Sequence, residues 1–171
     1  MPNATLPLPS GSVFADAGAA RRALEMALPM IESALPDPQV CGSGFLYVVI
    51  MDPALAPGEA SFDAAVLLEH AVGDRSGWDA DYAAFARAKA KLAWRLGSGL
   101  ERVQGAQPHR LRAGETLLRG SVCLDGIVVG VSGAHPWFDE AFATAIAANL
   151  RAIAQSRHAA ARERQELVAP G

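Results

Sequence analysis

Asp125-Gly126 stands between two apolar runs, residues 116–124 and 127–131, and constrains the fold more than any other feature of the sequence. A two-residue hairpin loop needs positive φ at both central positions, which Asp and Gly tolerate, so the pair predicts two adjacent antiparallel strands. A third run, residues 45–51 (Phe-Leu-Tyr-Val-Val-Ile-Met), has the length and the β-branched and aromatic content of a buried strand, and Asp52-Pro53 stops it. Residues 65–72 read as a further strand.

Helical signals lie between these runs. Asp16 is placed to cap a helix reaching about Leu35, with Leu24, Leu28, Ile31 and Leu35 on one face and Pro29 predicted to kink or split it. Asp79 or Asp81 opens a second helix, which Gly97 ends. Residues 98–114 form a long irregular connection with room for a short helix. A third helix starts near Pro136, with Asp139 and Glu140 complementing its dipole and Phe138, Phe142, Ala145, Asn149 and Ile153 near one stripe. The strands come in hairpin-like groups and not in strict alternation with helices. That order favours an α+β fold with an antiparallel sheet over a doubly wound parallel one.

The chain's 171 residues suit one domain with a real core, and 51% hydrophobic against 19% charged residues excludes disorder. With 15 Lys and Arg against 18 Asp and Glu the net charge is −3, which argues against nucleic acid or an anionic membrane as partner. Two cysteines, Cys41 and Cys123, exclude a disulfide framework and a zinc ribbon. No run is long enough to cross a bilayer, and residues 1–12 lack a basic start and an apolar stretch, so a cytoplasmic location is the expectation. Residues 1–14 read as a flexible arm, 15–158 as a single domain and 159–171 as a tail.

One position breaks the pattern of the second helix. Tyr82, Phe85, Lys89, Leu92 and Leu96 share the core-facing stripe, while Arg87, Lys91 and Arg95 line a solvated one. An unpartnered buried ammonium costs several kcal/mol. Lys89 therefore either packs its stem and reaches water or an acid such as Glu69, or it faces a ligand.

Several motifs around this lysine occur in a recognisable order: Asp52 after the first strand, Lys89-Ala90 on a helix, Gly130-Val131-Ser132-Gly133, then Asp139-Glu140. Over residues 17–157 the chain resembles the GlcG/HbpS family, which includes the C-terminal domain of PduO-type proteins and has UPF0303 relatives. One departure is the turn that is usually G-G-x-P, which reads Gly120-Ser121-Val122-Cys123 here. The resemblance implies a profilin-like three-layer α-β-α domain with a five-stranded antiparallel sheet and homo-oligomer formation. It also makes haem a candidate ligand, since some members bind it. Fold alone does not fix function.

The residues themselves leave alternatives. Ser132, Gly133 and His135 lie where a strand meets a helix N-terminus, a place suited to an anion, with His135 a candidate ligand for a haem iron; the alternative is a tight turn capped by Ser132. Gly130-Val131-Ser132-Gly133-Ala134 also approaches a nucleophile elbow, G-x-S-x-A. His70 sits in an apolar strand and is the second candidate iron ligand, while His109 and His158 read as solvated. No histidine pair has metal-ligand spacing, so no built-in metal site is expected. Cys41 reads as the more exposed thiol and Cys123 as core. Three functions follow: a small-molecule or haem-binding domain with Lys89, Ser132, Gly133, His135 and His70 around its pocket; an enzyme acting on a small carboxylate or amide through Lys89 or Ser132; or a non-catalytic partner that stabilises an oligomer. The balance leans away from catalysis.

Overall fold

The structure of the protein, a computed structural model, describes residues 10–164 and 167–170. Most of the arm expected at residues 1–14 lies outside that range. Its last residues dock: the Ser12 amide donates to both carboxylate oxygens of Asp52, at 3.0 and 3.1 Å.

The Asp-Gly hairpin is formed as its chemistry requires. Asp125 (φ 50°) and Gly126 (φ 85°) make the turn between β3 (Ser121–Leu124) and β4 (Ile127–Ser132). β4 pairs on its other side with β1 (Leu46–Met51), and β1 pairs with β2 (Val66–Val72). The sheet is antiparallel throughout, in the order β2-β1-β4-β3.

Side chains alternate across its two faces. Leu46, Val48 and Ile50 of β1 pack beneath α1 (Ala17–Ala34) and α5 (Pro136–Glu163), whereas Val49 and Met51 face α3 (Tyr82–Leu96) and the short α4 (Leu100–Ala106). A further short helix, α2 (Phe62–Ala65), leads into β2. Three layers result, with a core on each side of the sheet.

The described residues contain four strands, so the expectation of five is corrected. The run at 116–124 joins the sheet only at Ser121. Before it, the Thr116 hydroxyl accepts the Leu118 amide, the Thr116 carbonyl accepts from Gln104 Nε2, and Leu117 is 75% exposed. Those polar groups are satisfied locally, and the segment turns away before it can add a ladder.

Helix boundaries follow the caps. Asp16 accepts the Ala19 amide, Asp81 accepts the Ala84 amide, and Gly97 ends α3 in the left-handed region. Pro29 does not split α1, which continues to Ala34. Pro29 and Glu25 are both exposed, so the carbonyl that the proline leaves without a helical donor is on the solvent side. On α5 the buried face is Asp139, Phe142, Ala143, Ile146, Ala147 and Leu150; the stripe read from the sequence runs along its border. The helix passes the expected domain end at 158 and reaches Glu163.

One close approach positions the site. A Cβ on Gly130 of β4 would lie 2.7 Å from the Ala86 carbonyl oxygen and 2.9 Å from Ala90 Cβ. α3 therefore lies almost directly on β4, which lets the neighbouring Lys89 reach the strand's end.

Candidate functional site

Lys89 is buried, 3% exposed, and all three of its N–H donors are engaged. Nζ donates to the Val131 carbonyl at 2.9 Å, Ser132 Oγ at 3.2 Å and Asp139 Oδ2 at 3.0 Å. One ammonium thus ties α3, the end of β4 and the first turns of α5. Its counter-ion is Asp139, not Glu69. Glu69 faces Arg87 at 2.7 Å and the Tyr47 hydroxyl at 3.5 Å. Burial pulls Lys89 below its ordinary value, opposed by the Asp139 charge. Burial pushes Asp139 up to about 7, opposed by the Lys89 charge and hydrogen bonds. Desolvation outweighs attraction for both partners, as the physics of buried pairs allows.

The strand-to-helix turn is built around Asp139. Its Oδ1 accepts the Ala134 amide at 2.9 Å, and the Gly133 amide also lowers its pKa. Helix α5 has His135 as N-cap, with no side-chain cap bond, so Ser132 does not cap it as the tight-turn alternative proposed. A nucleophile elbow would need the amide after its serine free to hold an oxyanion. Here the amides of Gly133 and Ala134 face a carboxylate instead, and Ser132 is 4% exposed. The turn comes near the sequence of an elbow but has the hydrogen bonding of an internal cap.

Above the pair opens a cleft of about 370 Å³. Lys89, Ser132 and Asp139 contribute to it, and Ser43, Tyr82, Arg119 and His135 rise around them. The Tyr82 hydroxyl donates to Asp79 at 2.7 Å, which with burial pushes its pKa up to about 12. Arg119 is held by two 2.9 Å bonds to Glu140. His135 Nε2 donates to the Pro38 carbonyl at 3.1 Å, and its ring stacks on Trp137 with centroids 6.3 Å apart.

Of the predicted site residues, Lys89, Ser132, Gly133 and His135 come together in this cleft. His70 does not. It is exposed on the edge strand β2, directly opposite Val48, whose side chain belongs to the α1–α5 face of the sheet. Lys89 lies against the other face. Asp52 sits at the far end of β1, taken up by the amides of Ser12 and Ala54. His109 is exposed, and exposed His158 packs edge-on against Phe14. The two thiols are the reverse of expectation: Cys41 is buried beside the Phe45 and Gly133 carbonyls, and Cys123 is half-buried with its thiol pKa pushed up by desolvation.

These residues do not fit haem. A haem site needs an axial ligand and apolar walls. The cleft wall is more apolar than polar, but His135 has its Nε2 on a carbonyl and Tyr82 is held as a neutral phenol, so neither is free to ligate iron. Among the described residues no cluster of three or more His, Cys, Asp or Glu side chains is arranged to hold a metal ion.

Asp139 is the functional residue that sequence reasoning missed. Its signal was present: it precedes Phe142 and Ile146 by three and seven positions, on the core face of α5. An acid on one core face answers a lysine on another. Reading it as a dipole partner at the helix start, and as one member of a motif series, left that pairing unstated.

The fold and the site define an α+β domain of three layers with a cleft floored by a buried lysine–aspartate pair. No family model matches the sequence, and no curated protein matches it. Among solved structures the fold is similar to that of Klebsiella pneumoniae protein ORFY, a protein of the DUF336 (GlcG-like) family. The TM-score is 0.53 at 17% identity, covering 89% of this chain and 98% of that one. That likeness agrees with the GlcG-type resemblance at the level of fold. No helix among the described residues is long and apolar enough to cross a membrane.

Proposed function

We propose that this protein is a GlcG-like binding domain whose cleft holds a small polar organic molecule bearing a carboxylate. The observation that carries this reading is the convergence, in about 370 Å³, of Ser132, Tyr82, Arg119 and His135 at the N-terminus of α5, over a floor fixed by Lys89 and Asp139. A concave site of this size with a few convergent polar groups suits a small molecule. Asp139 already takes the amide of the turn, so the negative end of that molecule falls to the N–H groups that Arg119 keeps beyond the two on Glu140. The Lys89–Asp139 pair acts as scaffold, because its hydrogen-bonding capacity is already taken up. Acyl transfer is the weaker reading, since the amides that would hold an oxyanion already point at Asp139.

Calorimetric titration of short-chain carboxylates against their matching amides tests the proposal. At least one carboxylate is expected to bind saturably, with affinity falling about tenfold in Arg119→Ala, whose guanidinium keeps N–H groups beyond the two on Glu140, the loss of one good charge-assisted hydrogen bond. Binding of amide and acid with equal strength would overturn the carboxylate assignment. A parallel haemin titration is expected to show no saturable Soret change that depends on His135 or His70.

A further inference from the structure

A second, larger cavity of about 700 Å³ lies on the outer side of α3, between residues 57–60 and 112–116. Its floor includes Leu92 and the indole of Trp94, whose Nε1 donates to the Leu55 carbonyl at 2.8 Å and so holds the ring in place. Its charged lining is Lys91, Arg95, Arg112 and Glu115.

These charges are not equivalent. Arg95 and Glu115 satisfy each other through two 2.6 Å bonds, and Glu115 also accepts the Arg112 amide at 2.7 Å. The Arg95 bond chiefly, with the Arg112 amide, holds the Glu115 carboxyl below the usual range. Glu115 is thus consumed within the protein. Lys91 and Arg112 are exposed, and among the described residues neither side chain is within ion-pair distance of an acid, although the Arg112 charge also acts on Glu115; the Lys91 ammonium lies 6.0 Å from the centre of the Phe62 ring. The cavity therefore combines an apolar floor with two exposed cations outside any close ion pair, in a chain whose net charge is −3.

We propose that this cavity is a binding site for an amphipathic aromatic anion, with the ring on Leu92 and Trp94 and the acid group between Lys91 and Arg112. The volume exceeds what a short-chain acid fills, and the fixed indole offers a flat partner for an aromatic body. Arg112 provides a planar fork for a carboxylate and Lys91 a mobile point charge. This site is separate from the cleft at Ser132 and does not rest on the reading given for it.

Calorimetry of the full chain with 2-naphthoate, and with uncharged 2-naphthamide, tests the proposal. Naphthoate is expected to bind at one site per chain, and the amide about tenfold more weakly, the value of one charge-assisted contact. The double variant Lys91→Ala/Arg112→Ala should weaken naphthoate binding by about the same factor or more and leave the melting temperature unchanged, because both side chains are exposed. His135→Ala should leave naphthoate binding as it was. Equal binding of acid and amide, or a loss in His135→Ala without one in the double variant, would overturn the proposal. So would a concentration-dependent dimer on sizing that the double variant dissolves, since a second copy would then occupy the cavity.

Discussion

Asp139→Ala is expected to destabilise the fold by about 3–5 kcal/mol, because it leaves a buried ammonium without its counter-ion. Lys89 would keep the Val131 carbonyl and Ser132 Oγ but no negative charge, at 3% exposure. The double variant Lys89→Met/Asp139→Leu should return to within about 1 kcal/mol of the parent, since it removes both desolvation costs together. Urea unfolding of the two single variants and the double variant measures this as a coupling energy. A double variant as unstable as the sum of the singles would refute the account of the pair.

The same pair predicts the pH dependence. Asp139 is pushed up to about 7 in the folded protein from an ordinary 3.8, so between those values the native state holds more protons than the unfolded one. Stability from this group is therefore fully present below about pH 4 and is lost as pH rises toward 7. Lys89 is lowered, so its own contribution is complete only above its ordinary value of 10.5 and declines as pH falls. Measured against Asp139→Asn, the parent should lose relative stability between about pH 4 and 7. A relative gain over that range would mean that attraction outweighs burial.

How much of this could be read from sequence differs by element. The β3–β4 hairpin was legible because Asp125-Gly126 dictates its own backbone geometry. Helix α3 was legible from Asp81 and Gly97, its two caps. Lys89 was legible as an anomaly, because a charge on a core stripe violates a local rule. Its partner was not, since pairing Lys89 with Asp139 depends on how α5 crosses β4 fifty residues later. The fifth strand came from the family resemblance and not from any run of residues. The strand read at 116–124 begins only at Ser121, because bonds from Thr116 and Gln104 satisfy its first residues locally. His70 looked close to the site along the sequence, yet the pleat of the sheet puts it on the opposite face. Cys41 looked exposed beside glycines, but Ser43 and the carbonyls of Phe45 and Gly133 close around it.

Those carbonyls also mark the position least able to change. Gly133 adopts φ 140°, where an L side chain is strained, and a Cβ there would overlap the Phe45 carbonyl oxygen and come within 2.7 Å of Leu46 Cα. The obstructing atoms are backbone, so no rotamer change relieves the contact. Gly133→Ala should therefore add a strain of about 1–3 kcal/mol at φ to an overpacking cost of about 1–3 kcal/mol. The result is also specific in place. Separating Gly133 from Phe45 pulls the end of β4 from the start of β1, where Tyr47 pairs with Ser132. It moves the Ser132 hydroxyl and the Val131 carbonyl away from Lys89, so the variant should lose carboxylate binding in the cleft while naphthoate binding at Lys91 and Arg112 persists in whatever fraction remains folded. Amide exchange would show the damage as lost protection at Tyr47 and Ser132 before the β3–β4 hairpin, because Cys123–Val128 pairing lies at the other end of the strand. Uniform loss of protection across the sheet would instead mean that the turn supports the whole domain and not only the cleft.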